Sequence, residues 1–258
     1  MFQDLWSITT ASLTPFQIYG VAYVVFLLTF WSSGLVLLAL DVARPHVLER
    51  FRCQPFEKFD KGSTLKVAKN VVANQLTTYP ICFFLFWPVA ARRLSFSEEL
   101  PSLQILLWTF VLFTGLTEVM FYWSHRMFHY APLYKRFHKI HHEIKAPFGI
   151  CALYFHPVEH VQAAVEGIAP ALLLGSHVSL YIFWTCIATL NVVLHHSGYD
   201  FEPYLLDSLW PFKSMTQQHD YHHFAFDRCF GVIGICDWLH GTDRGFKDHL
   251  ALWKQAQT

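Results

Sequence analysis

Phe16–Leu40 is a run of 25 residues without a charged side chain. Roughly 20 apolar residues suffice for a helix to cross the hydrocarbon of a bilayer. Inside that hydrocarbon every backbone N–H and C=O needs a partner within the protein, which leaves only helices and closed barrels. One unbroken run of this length selects the helix. Val71–Ala91 is also uncharged, Leu103–Tyr122 carries the single acid Glu118, and Gly167–Leu194 forms a fourth apolar region. Charged residues make up 15% of the chain, against about 25% in soluble domains. The expected fold is an all-α integral membrane helical bundle.

Charge orders these segments across the membrane. Asp41–Lys69 holds Arg44, Arg50, Arg52, Lys58, Lys61, Lys66 and Lys69 against four acids. Basic loops stay in the cytoplasm, so the N-terminus is expected on the far side, with Pro45, Pro55 and Gly62 breaking the loop into short helices and turns. Met1–Thr14 has no basic segment, so the first apolar run is expected to target the chain to the membrane and remain in place. Val71–Ala91 is read as a second span, kinked at Pro80 and Pro88. Leu103–Tyr122, the third, returns the chain to the cytoplasmic side just before His125. Net charge is zero with histidine neutral, and no concentrated basic patch calls for a nucleic acid. The six cysteines form no CxxC pair and read as buried, reduced thiols.

On that side the histidines gather. His138-Lys139-Ile140-His141-His142 reads HxxHH, and His219-Asp220-Tyr221-His222-His223 repeats it; HxxxH, from His125 to His129, precedes the first copy. Positions i, i+3 and i+4 share one face of a helix, so each cluster is expected to aim its imidazoles at one point. Both copies reach one site only if the fourth region enters the membrane and returns. Val161–Leu194 is 34 residues, enough for two helical arms of about 25 Å, with a turn at Leu174-Gly175-Ser176-His177. His195–Thr258 is then a polar segment punctuated by Pro203, Pro211 and several glycines. A supply of imidazoles without cysteine suits iron, copper or zinc. Two irons with four or five histidines each would use the clusters fully, and zinc would compete for such a site.

Phe121-Tyr122-Trp123-Ser124-His125-Arg126-Met127-Phe128-His129 resembles the FYWxHRxxH motif of the sterol desaturase/fatty acid hydroxylase superfamily. Within it, HHE at His141–Glu143, APFG at Ala146–Gly149, HPxE at His156–Glu159 and HSGYD at His196–Asp200 are similar to the C-4 methylsterol oxidases. His156 to His160, Gly175-Ser176-His177 and Leu239-His240-Gly241-Thr242-Asp243 look like the branch of fatty acid hydroxylase domain-containing protein 2. The matching region is about 112–247, between an N-terminal transmembrane and loop region, 1–111, and a tail, 248–258.

The resemblance implies a multi-pass di-iron oxygenase of the endoplasmic reticulum membrane with a cytoplasmic, histidine-rich cap. It implies nine metal ligands: His125, His129, His138, His141, His142, His196, His219, His222 and His223. The implied reaction uses O2 and electrons from NAD(P)H through a separate cytochrome b5-type donor, on a membrane lipid. Oxidation of a sterol C-4 methyl group is the first expectation and hydroxylation of a fatty-acyl or sphingolipid chain the second. A histidine-rich metal-binding or transport protein is the alternative of another class, and it predicts ligands strung along the spans. Glu118, an acid inside a span, is read as an acceptor for a ligand N–H, with Glu159 and Asp220 as further candidates. His156 is read as orienting ligands; His160, His195 and His240 rank below it, and His177 is read as structural.

Overall fold

The computed structural model describes residues 1–54, 61–201 and 215–256; Pro55, Lys58, Pro203 and Pro211 lie outside the described residues. The described chain is helical, and its only β pairing is two isolated bridges, Arg52 with Tyr199 and Ser95 with His177. Among the described residues, three helices are long and apolar enough to cross a membrane: α2 (Pro15–Ala43), α5 (Leu103–Phe128) and α8 (Val178–His195). Val24, Leu28, Leu35 and Val36 on α2, and Leu107, Trp108, Val111 and Leu112 on α5, are exposed. Outward apolar faces of this extent fit a lipid surround.

Local chemistry sets the starts of these helices. Thr14 and Gln17 close a capping box on α2, with Pro15 in the first position, where its missing N–H goes unused. Ser102 accepts from Ile105 N at the start of α5, and His177 does the same for Ser179 N on α8.

The expected second span is not one helix. The run divides at Thr77 between α3 (Lys61–Leu76) and α4 (Thr78–Arg93). The ring of Pro80 would strike the carbonyl of Leu76 in a continuous helix. Restarting at Thr78 places Pro80 in the first turn, where no N–H is needed. Pro88 is tolerated inside α4, which at 16 residues is about 24 Å long.

The fourth region does fold back as a helical hairpin. α7 (Pro157–Leu174) runs away from the histidine clusters and α8 runs back to His196. Gly175, at φ 62°, makes the left-handed turn between them. Arg93 donates to Leu172 O and Leu173 O, both at 2.9 Å, capping the end of α7. Ser95 N donates to Ser176 O and Val178 N to Ser95 O. The short N-terminal helix α1 (Phe2–Ser12) joins the same end through Trp6 Nε1 to Ser97 O and Gln3 Nε2 to Glu98 O. The hairpin tip therefore lies level with the loop before α5, at the end opposite the histidines.

Near the histidine end, α2 packs against α8 and the turn Gly149–Leu153. Gly34 permits this approach, since a Cβ there would stand 2.8 Å from Ile150 Cγ2. Gly34→Leu is expected to cost about 1–3 kcal/mol by overpacking, read as a lower melting temperature of the solubilised protein with unchanged membrane insertion.

Candidate metal centre

All nine expected histidines meet at one end of the bundle, in two groups. His125, His129, His138, His142 and His222 form one; His141, His196, His219 and His223 form the other. Within each group the potential ligand nitrogens lie within 4.8 Å of one another. Each HxxHH is split between them. The first gives i and i+4 (His138, His142) to the five-histidine group and i+3 (His141) to the other. The second does the reverse, with His219 and His223 in the four-histidine group and His222 crossing over. In the second copy, which is α-helical, about 100° per residue puts i+4 about 40° to one side of i and i+3 about 60° to the other. The motif therefore straddles two points, where sequence spacing had suggested one. The first copy lies on a 3-10 segment, His138–Glu143, and the second on α9 (Met215–Ala225). His125 and His129 come from the last turn of α5, and His196 directly follows α8.

The ring nitrogens have divided roles. Nδ1 of His125 lies 2.8 Å from Phe230 O, that of His196 2.8 Å from Val192 O, that of His222 2.6 Å from Arg228 O and that of His223 3.0 Å from Ile144 O. A carbonyl oxygen only accepts, so each Nδ1 carries the proton and each Nε2 is left with a bare lone pair. The Nε2 atoms of His196, His222 and His223 each face another imidazole nitrogen. His142 Nε2 is 3.0 Å from His138 Nε2, 3.1 Å from His222 Nε2 and 3.3 Å from His129 Nε2. His219 Nε2 is 2.8 Å from His196 Nε2 and 3.2 Å from His223 Nε2. One proton cannot serve three neighbours, so these contacts are not a hydrogen-bond network. Several converging lone pairs form a cation site, and a neutral imidazole nitrogen is a metal ligand.

Burial keeps the imidazoles neutral. It holds His138, His141, His142, His219, His222 and His223 well below the ordinary histidine pKa, and neighbouring imidazoles lower them further. Burial also brings His196 down to about 3. Removing nine charges leaves nine donors for a positive ion.

The carboxylates take different places. Glu159 meets a ligand candidate directly: its Oε1 accepts from His138 Nδ1 at 2.6 Å, the bond that fixes a ligand ring. Glu118 touches none of the nine. It accepts the backbone N–H groups of Val232, Ile233 and Cys236 at 2.7–2.9 Å. Asp237, which sequence reasoning passed over, accepts from Phe230 N and Gly231 N at 2.8 and 2.6 Å. Together they fold the loop whose Phe230 carbonyl orients His125. Asp220 points away from the imidazoles to Gln54 Nε2, 3.1 Å from both oxygens, and burial raises its pKa to about 7. His156 caps α7 at Val158 N, so the orienting role expected of it belongs to its neighbour Glu159. His195 lies beside His219 at 6.4 Å between ring centres, and His240 packs on Tyr122; neither joins a group.

The arrangement defines a helical membrane protein with two adjoining histidine groups that can bind metal. The fatty acid hydroxylase family model matches residues 110–242, and the chain belongs to that family. Fatty acid hydroxylase domain-containing protein 2 of Macaca fascicularis is 36% identical over 88% of this chain and 67% of its own length. Very-long-chain aldehyde decarbonylase GL1-11 of Oryza sativa subsp. indica is 31% identical over 96% and 94%. Methylsterol monooxygenase 1-2 of Arabidopsis thaliana is 25% identical over 98% and 87%. No solved structure gives a significant match.

Glu159→Ala is expected to weaken metal binding about 10- to 100-fold, measured by chelator competition. Glu118→Ala strands three backbone donors, each worth about 1–3 kcal/mol when buried. The expected result is a larger loss of thermal stability than Glu159→Ala produces.

Proposed function

We propose that this protein is a membrane-bound di-iron oxygenase that oxidises a lipid, with a sterol C-4 methyl group as the substrate position. The observation that carries the reading is the pair of groups of converging, neutral Nε2 atoms at one end of an apolar bundle. The donor set fits iron, and zinc would fit it as a substitute. His125, His129, His138, His142 and His222 would hold one ion; His141, His196, His219 and His223 would hold the other. Two irons supply what no side chain of the cluster has, the activation of O2 for attack on an unactivated C–H bond.

The chain's own residues supply geometry and dryness. Carbonyls at Ile144, Val192, Arg228 and Phe230 hold four rings by their Nδ1 protons, and Glu159 holds a fifth. Glu118 and Asp237 hold the Phe230 carbonyl in turn. Eight of the nine imidazoles are buried, which limits access of bulk water to the centre. The basic loop between α2 and α3 supports a cytoplasmic centre, supplied from NAD(P)H through a cytochrome b5-type donor, in the endoplasmic reticulum.

Likeness to methylsterol monooxygenases over nearly the whole chain supports the sterol substrate. The fatty acid hydroxylase family match supports the second reading, a fatty-acyl or sphingolipid hydroxylase with the same centre. A transporter is disfavoured because the imidazoles form two compact groups at one end, with no path of ligands along the spans.

Purified protein is expected to hold close to two irons per chain and to turn over only with O2 and reductant. His141→Ala and His222→Ala take one ligand from each group, and each should abolish product while the protein still inserts; full activity in either removes the assignment. Loss of the gene is expected to accumulate 4-methylsterols, whereas altered 2-hydroxy lipids with normal sterols would select the second reading.

A further inference from the structure

The loop and short helix that follow the second HxxHH run beside α5, on the membrane side of the histidines. The helix is α10 (Ile235–His240). Its start is fixed to Glu118, which accepts from Val232 N, Ile233 N and Cys236 N at 2.7–2.9 Å. Its end is fixed one turn further along α5. There His240 stacks on Tyr122 at 5.0 Å between ring centres, and Thr242 Oγ1 lies 3.3 Å from Tyr122 Oη. α10 therefore occupies the level of residues 118–122 of α5, although its sequence belongs to the polar stretch His195–Thr258.

That level is the edge of the apolar part of the span. Leu103–Tyr122 is 20 residues with Glu118 as its single acid, about 30 Å of helix, the thickness of the hydrocarbon core. Glu118 lies about 6 Å inside its histidine-side end. The outward face of α10 at this level is apolar: Trp238 is 56% and Leu239 62% exposed. Asp237, the one acid of α10, is turned inward to Phe230 N and Gly231 N. Beside α10 the exposed Trp123 ring meets His240 edge-on at 5.0 Å. Trp108, Leu112, Gly115, Val119 and Trp123 are all exposed, at three- and four-residue spacing along one face of α5. The α10 surface thus continues the lipid-facing side of the span. Just beyond it Arg126 and Arg244 are exposed. Tryptophan and aliphatic side chains at the end of a hydrocarbon-length helix, with guanidinium groups further out, match the chemistry of a membrane–water boundary.

We propose that α10 is seated in the bilayer, with Trp238 and Leu239 at the boundary between phospholipid headgroups and acyl chains. The partner of this surface is the bilayer itself. The segment that presents the Phe230 carbonyl to His125 is then held by Glu118 on one side and backed by lipid on the other. The inference rests on α5 crossing the membrane and is independent of the chemistry at the histidine groups.

The test places the fluorophore NBD at Leu239→Cys in the full chain, with Cys186→Ser as background because the other five cysteines are buried. The protein is held in phosphatidylcholine nanodiscs. Three quenchers are compared: iodide in the water, a phosphatidylcholine with a nitroxide near the head end of its acyl chain, and one with the nitroxide near the chain terminus. Leu112→Cys, on the exposed face of α5, is the lipid reference and Lys139→Cys, exposed beside the histidines, the aqueous one. The label at position 239 is expected to be quenched most by the shallow nitroxide, less by the deep one, and several-fold less by iodide than the label at position 139. Iodide quenching equal to that at position 139 overturns the proposal by putting α10 in water. Quenching by none of the three overturns it by putting protein, a second copy or another chain, on this face. Stronger quenching by the deep nitroxide than by the shallow one overturns the boundary placement. Trp238→Cys, read by the same criteria, decides if Leu239→Cys fails to fold.

Discussion

Nine imidazoles, eight of them buried, with ring nitrogens facing one another do not hold themselves together. Each has lost its hydration, and Nε2 atoms about 3 Å apart repel unless a proton or a cation lies between them. The rest of the structure works against that repulsion. Four backbone carbonyls and Glu159 grip the rings from behind. Three of those carbonyls belong to loops, the fourth to α8, and the loops are themselves tied. Glu118 and Asp237 hold the segment around Phe230. Arg52 donates to Tyr199 Oη at 2.6 Å and pairs with Asp41 at 3.4 Å, joining the stretch after His196 to the end of α2. Lys66 pairs with Glu143 at 2.6 Å, joining α3 to the segment carrying His138, His141 and His142.

The membrane part solves a different problem with the same elements. A single crossing after α7 would have sent His196, His219, His222 and His223 to the wrong side. The hairpin avoids this, and its tip is fastened to the loop before α5 by Arg93 and Ser95. Because α7 starts at the histidine groups and ends at that loop, it carries Glu159 at one end and the turn held by Arg93 at the other. Position along α7 is thereby coupled to register at the histidine groups.

Much of this was legible in the residues. Scarcity of charge located α2 and α5, and a shared histidine site required the return that the length of Val161–Leu194 allowed, with its turn at Leu174-Gly175-Ser176-His177. Repetition of HxxHH, together with the family resemblance, picked out the nine histidines that the fold brings together. Two things were less visible for physical reasons. Lack of charge over Val71–Ala91 outweighed Pro80, although a ring that collides with the Leu76 carbonyl is a local fact no hydropathy average contains. The orienting acceptors were hidden more deeply, because four of the five are backbone carbonyls, which every residue possesses. Glu118 was noticed as an acid in a span, but its partners lie more than 110 residues later and are peptide N–H groups.

The reciprocal division of the two HxxHH motifs gives the centre an asymmetry that spacing alone does not contain. Each motif gives two imidazoles to one group and one to the other, so three from each side would make the groups equivalent. Two rings from α5 and one from the end of α8 break that balance, giving five and four. The group with fewer imidazoles is the one whose His141 packs on Phe155. The better-filled group is backed by α5 and the Phe230 loop. α7 reaches the five-histidine group through Glu159, which holds His138.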